Sequence, residues 1–169
     1  MTRHETARRA QNGLRAVRLV MDAYPGQIEG KHLPVIIWEG YSAVPYRDTK
    51  GVVTVGVGQT GYWADIPFPE VFDHFEQQAR HLTTGFDELP QMVKDAIVVA
   101  CYRGDWQVSP KTRRLFNNQM YLEAAEEWYD NEDYRVACAQ RSGVKDRFEY
   151  VGACIEYMIL NEYVHYGED

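Results

Sequence analysis

Cysteine is scarce in this chain: three in 169 residues, at Cys101, Cys138 and Cys154. The number is odd and the spacings form no metal-like cluster, so neither a disulfide framework nor a zinc module is expected. Such usage reads as a protein made in a reducing compartment. Long apolar runs are also lacking. The N-terminus is basic, but Leu14–Met21 is interrupted by Arg15 and Arg18, which leaves no h-region for a cleavable signal and no membrane span. No phosphate-binding glycine loop is present. Gly56-x-Gly58 is only part of a dinucleotide fingerprint, and its surroundings read as a hairpin rather than strand–turn–helix. The expectation is therefore no metal and no cofactor. Positive charge is in deficit, with 18 Lys and Arg against 25 Asp and Glu and a net charge of −7. That balance makes nucleic acid a poor partner. No internal repeat or low-complexity stretch is visible.

What is present suits a globular protein with one sizeable domain or two small lobes. Hydrophobic residues make up 45% of the chain, and 12 Tyr, 6 Phe and 4 Trp supply aromatic surface for packing and for stacking on sugars. Charge is unevenly spread: residues 1–22 hold five Arg against Glu5 and Asp22, net +3, which leaves −10 for the remainder. This first segment, about residues 4–23, reads as an amphipathic helix. Ala7, Ala10, Leu14, Val17 and Met21 recur at alternating spacings of three and four, one apolar stripe. Tyr24-Pro25-Gly26 stops it. The stripe is expected to pack on the body of the chain; docking on a partner or a membrane surface is the alternative. Gln27–His32 reads as a linker.

The stretch Trp38–Gly61, WEGYSAVPYRDTKGVVTVGVGQTG, organises the rest. Pro34 suits the first turn of a helix over Leu33–Glu39, where a missing N–H costs nothing, and Gly40 ends it. Tyr46–Asp48 reads as extended, and Thr49-Lys50-Gly51 as a turn. The β-branched run from Val52 to Val57 reads as the return strand. Gly56 and Gly58 point to a bulge or a close backbone approach by a ligand. Glu39 thus ends a helix, Asp48 lies at the mouth of a hairpin, and Thr54 lies on its return strand. Taken singly, these are a solvated helix-end charge, a turn-capping residue and a strand residue. Together they match what glycoside hydrolysis needs: a protonated carboxyl for the leaving oxygen and an ionised carboxylate across the bond. A hydroxyl beside the second carboxylate helps hold a water.

The string EG…PYRDTKGVVTVGVGQTG resembles the active-site hairpin of phage lysozymes of the T4 type, muramidases that cut bacterial cell walls. The match runs without a gap from Glu39 to Gly58. The resemblance implies Glu39 as general acid, with Asp48 and Thr54 as the second and third catalytic positions. It covers about residues 33–160. Gln59 stands where the family commonly has His.

Further along, Val71, Phe72, Phe75, Ala79 and Leu82 mark a helix over Phe68–Leu82, the family's connecting helix. His74 and His81 read as solvated. Tyr62–Pro69 reads as irregular. Gln91–Tyr102 is apolar nearly all round and reads as a buried helix. It ends at Tyr102-Arg103, where the family borders its substrate groove with an aromatic and then an amide. Tyr102 fits and Arg103 departs. Pro110–Asn117 and Tyr121–Tyr129 read as short helices buried through Leu115, Phe116, Ala124, Ala125 and Trp128. Ser142 or Asp146 caps a last helix, which Tyr150, Ala153, Cys154, Tyr157 and Met158 continue. The family's paired arginines align with Arg147 and Phe148, and the first of them lies near the catalytic glutamate.

The expected fold is α+β, mainly α: a lysozyme-like arrangement of a small β-hairpin lobe and a larger helical lobe. Residues 1–26 are expected as an added N-terminal helix and 27–169 as the catalytic domain. Within that domain the β lobe spans about 40–66, the connecting helix about 68–82 and the helical lobe about 88–165. The resemblance implies an N-acetylmuramidase cleaving the β-1,4 bond between N-acetylmuramic acid and N-acetylglucosamine, lysing cells for a phage. Gly58, Gln59, Tyr102 and Arg103 would bind substrate, and Arg147 would give the acid electrostatic support. The competing classes are a non-catalytic wall-binding or virion structural protein that kept the fold, and a lytic transglycosylase, which needs only the acid. The expected partner is peptidoglycan, met by a monomer without membrane insertion. Such a protein stays in the host cytoplasm until a holin releases it to the periplasm, or travels in the virion.

Overall fold

A computed structural model describes residues 3–140 and 142–166. They are mainly helical, with one small antiparallel sheet, as the α+β expectation requires. The chain divides into two compact units, Met1–Phe75 and Glu76–Asp169, with the boundary inside a helix over Phe68–Leu82 (α3).

In the first unit, α1 runs over Arg3–Ala23 and packs against α2, Leu33–Glu39. The helix is where the periodicity puts it, but the buried face differs. Gly13, Ala16 and Val20 are buried, whereas Ala7, Ala10, Leu14 and Met21 of the expected stripe are exposed and Val17 is half-buried. The reason is close approach. A Cβ added at Gly13 would lie 3.1 Å from Ile37 Cγ2 of α2, so the small residues let the two helices meet. Arg9 lies over the Trp38 ring at 5.6 Å, a cation–π contact between the same two helices.

The expected linker before α2 holds structure of its own. Gly30–His32 forms a 3-10 turn, and His32 is 3% exposed. Its Nδ1 accepts the Glu29 N–H at 2.8 Å, and its ring sits edge-on to Phe72 at 4.4 Å. Pro34 stands in the first turn of α2, and Gly40 ends the helix at φ 73° while donating its N–H to Ile36 O. Val35 and Ile36 face inward.

Three strands follow in the order β1-β2-β3, all antiparallel: Ser42–Arg47, Val53–Gly56 and Gln59–Thr60. Tyr46 pairs with Thr54, and Thr54 with Thr60, so Thr54 occupies the central strand. The expected irregular stretch contains a 3-10 helix, Gly61–Asp65, before α3 begins. Phe68, Val71, Phe72 and Ala79 are the buried residues of α3. Trp63 is half-buried and lies 4.7 Å from His74 and 5.3 Å from Phe75 by ring centroids.

In the second unit, α4 (Gln91–Tyr102) is buried through Val93 and Ala96–Cys101. Pro110–Asn117 (α5) and Tyr121–Tyr129 (α6) stand as expected. Phe116, Ala124, Ala125 and Trp128 face inward and Leu115 is half-buried. A further helix, Glu132–Gln140 (α7), buries Ala137. The last helix, α8, is Gly143–Tyr166. Ser142 directly precedes it, and Asp146 lies within its first turn rather than at its cap. Its inward residues are Arg147, Phe148, Val151, Gly152, Cys154, Ile155 and Met158, while Ala153 and Tyr157 are exposed.

The core of this unit is aromatic. Trp106, Trp128, Phe116 and Phe148 are each at most 2% exposed. Both indoles pair their N–H, as buried tryptophans require: Trp106 donates to Thr83 Oγ1 (3.1 Å) and Trp128 to Phe148 O (2.9 Å). Phe148 is a core residue 5.0 Å from the Trp128 ring. All three thiols are free. Burial pushes Cys101 up to about 12 and Cys154 to about 11, which keeps both protonated and unreactive.

Candidate active site

Glu39, Asp48 and Thr54 all belong to the first unit, at the end of α2, in the hairpin turn and on β2. α2 must stop at Glu39 because Gly40 adopts a conformation open mainly to glycine. The Glu39 side chain is half-buried, with Oε1 shielded from solvent. It lies against the backbone of Gly58. A Cβ built there would stand 2.6 Å from Glu39 Oε2 and 3.2 Å from Glu39 Cβ, and Gly58 has φ +61°. Two independent reasons therefore demand glycine at 58. The close approach foreseen at this position is made by the chain's own carboxylate.

Asp48 organises the hairpin tip. Its Oδ1 accepts the N–H groups of Lys50 and Val52, both at 2.8 Å. Its own N–H donates to Val52 O, and its carbonyl accepts from Gly51 N. Arg47 closes the same turn by donating to Gly51 O at 2.8 Å. Asp48 is thus a turn-capping residue as well as a candidate catalytic one, and the two duties fit one carboxylate. Both side-chain bonds fall on Oδ1, and Oδ2 lies outside that pair. Thr54 is 5% exposed, and its hydroxyl donates to Val52 O at 3.3 Å. Val52 therefore takes hydrogen bonds from both candidate residues of the hairpin.

Gln59 has turned inward. It is 4% exposed; its Oε1 accepts from Val57 N, and its Nε2 donates to Trp63 O (2.8 Å) and Ile66 O (2.7 Å). A Cβ at Gly56, where φ is +61°, would clash with that same amide. Gln59 ties the sheet to the 3-10 segment that follows. This is a structural duty that an amide performs without a change of charge. An open cavity of about 250 Å³ lies beside it, lined in part by Tyr24, Tyr41, Val55 and Asp65. Glu39, Asp48 and Thr54 do not line it.

The remaining expected residues lie in the second unit. Tyr102 is half-buried at the end of α4, and Arg103 is exposed at its C-cap. The amide in this turn is Gln107, whose Nε2 donates to Cys101 O (2.8 Å) and Gln78 Oε1 (2.5 Å). Arg147 is 9% exposed, and its Nη2 lies 3.4 Å from Asp105 Oδ2. Burial raises the Asp105 carboxyl above its ordinary range, with Arg147 and Arg103 pulling the other way. No sequence spacing pointed to Asp105, because the partner is 42 residues away. Among the described residues no group of three His, Cys, Asp or Glu is placed to hold a metal ion. Compared with protein-family models and with curated proteins, the chain matches neither any family model nor any curated protein.

Proposed function

We propose that this protein is a peptidoglycan hydrolase, an N-acetylmuramidase that cuts the β-1,4 bond between N-acetylmuramic acid and N-acetylglucosamine. The observation that carries the reading is the seating of the Glu39 carboxylate on Gly58, in the same compact unit as the hairpin of Asp48 and Thr54. A carboxyl shielded on one oxygen and fixed against backbone suits a proton donor, because positioning precedes proton transfer. In this reading Glu39 protonates the glycosidic oxygen. Asp48, oriented by two backbone N–H groups, and the Thr54 hydroxyl hold the water that attacks the opposite face of the sugar. Gly58 contributes by admitting the acid, and Gln59 by holding the sheet. Tyr102 and Arg103 enter the proposal as sugar-binding side chains and Arg147 as an electrostatic support of the acid. The substrate lies in the cell wall, so the proposal includes release from the host cytoplasm by a holin or delivery by a virion.

Clearing of chloroform-treated Gram-negative cells tests the proposal. The wild-type chain clears the suspension, and Glu39→Gln at equal concentration does not. A wild-type chain that sediments with cell walls yet never clears them is a wall-binding protein instead. If Asp48→Asn retains full activity while Glu39→Gln is dead, the transglycosylase reading replaces hydrolysis.

A further inference from the structure

We propose that the solvent-facing side of α1 docks on an anionic phospholipid surface. The proposal is independent of the hydrolase reading. α1 carries two apolar stripes, and only one is used within the fold. Gly13, Ala16 and Val20 are buried in the packing on α2. The second stripe, Ala7, Ala10, Leu14 and Met21, faces solvent, with Leu14 60% and Met21 50% exposed. Apolar side chains grouped on one exposed flank of a helix mark a surface to cover.

Charge selects the occupant. Arg8, Arg15 and Arg18 are exposed on the same helix, and Glu5 and Asp22 are its acidic residues. Residues 1–22 carry +3 against −10 for the rest of the chain. A helix with exposed aliphatic side chains between arginines lies in the plane of lipid headgroups, its apolar side chains reaching the acyl boundary and its guanidinium groups on phosphates. Contact of α1 with α1 of a second copy would oppose arginine to arginine. The chain's net −7 opposes long-range attraction to an anionic bilayer, so the contact is short-ranged, within a Debye length of about 8 Å. The apolar stripe matters for that reason. No helix among the described residues is long and apolar enough to cross a membrane, which makes the contact peripheral.

The full-length chain is sedimented with vesicles of equal parts phosphatidylglycerol and phosphatidylcholine, and with vesicles of phosphatidylcholine alone. Binding to the anionic vesicles is expected, falling as salt rises, with little binding to the neutral ones. Two variants, L14Q/M21Q and R8Q/R15Q/R18Q, alter only exposed side chains, and circular dichroism checks that they fold. The first is expected to weaken binding at least tenfold, and the second about fivefold for each arginine removed. No sedimentation with anionic vesicles at low salt overturns the proposal, as does wild-type binding by both variants. A dimer in light scattering that L14Q/M21Q converts to monomer also overturns it and assigns the face to a second copy.

Discussion

At the scale of single residues, the candidate site rests on two side chains that share one problem: a carboxylate needs a fixed direction to act as proposed. Glu39 gets its direction from Gly58, and Asp48 from the amides of Lys50 and Val52. The two are therefore sensitive to different substitutions. Gly58→Ala places a methyl group on Glu39 Oε2 and forces an alanine to φ +61°, a conformation costing about 1–2 kcal/mol. Lytic activity is expected to fall at least a hundredfold, far more than a stability loss of that size explains. Parallel lysis and urea-melt measurements check it. Glu39→Gln keeps the shape and removes the proton, and the loss expected of a general acid is about 10²–10⁴-fold. Gln59→Ala frees two carbonyls and one N–H, so it should lower the melting midpoint before it changes any pH optimum. The roles of Glu39, Asp48 and Thr54 were suggested by spacing and resemblance. The duty of Gln59 was not legible, because its partners are backbone carbonyls whose positions depend on the 3-10 turn after the sheet.

At the scale of elements, the sequence reads well where punctuation and periodicity agree. Pro34 and Gly40 bracket α2, Pro90 and Gly104 lie just outside the two ends of α4, and the observed ranges follow those marks. The reading failed where tertiary partners choose among local options. α1 offers two stripes, and α2 takes the one with Gly13 and Ala16 because small residues permit close packing. The choice is invisible to hydrophobic periodicity, which favours the larger Leu14 and Met21. α7 escaped notice because it buries little beyond Ala137, and β3 because it is two residues long. The correction to α1 has a sharp test. Val20→Ala removes two buried methyl groups and should cost about 2 kcal/mol, whereas Leu14→Ala should change stability by less than about 0.5 kcal/mol. Urea unfolding of both variants checks it; equal losses would restore the original stripe. Deleting residues 1–26 uncovers the face of α2 that α1 protects, and a few hundred Å² of newly exposed apolar surface at about 25 cal/mol per Å² costs several kcal/mol.

At the scale of the whole molecule, pH couples to stability through partly buried carboxyls of the second unit. Burial raises both Asp95 and Asp105 above the ordinary carboxylate range. A raised folded-state value means that the stabilising contribution is full below the unfolded carboxylate pKa of about 3.9 and is lost as pH rises through the higher folded value. These two groups therefore work against the usual gain of stability between acid and neutral pH. Asp95→Asn should be more stable than wild type at pH 7, with the difference shrinking toward pH 4. Arg147→Ala should act in the opposite sense. It leaves the ionised Asp105 without its guanidinium neighbour, at a cost on the order of 3 kcal/mol, and the loss should be largest near neutral pH and smaller in acid. Adding Asp105→Asn should recover part of it. Melting curves at several pH values, on each single variant and on the pair, measure all of this.

The proposed activity cuts one kind of bond, and the sugar ends it leaves report how that bond is cut. Purified peptidoglycan is digested with the wild-type chain and with Glu39→Gln, and the new sugar ends are counted and weighed by mass spectrometry. Hydrolysis by Glu39 predicts fragments ending in a hydrated, reducing N-acetylmuramic acid from the wild type and essentially none from Glu39→Gln. Fragments ending in an anhydro sugar, or reducing ends released equally by Glu39→Gln, would contradict it.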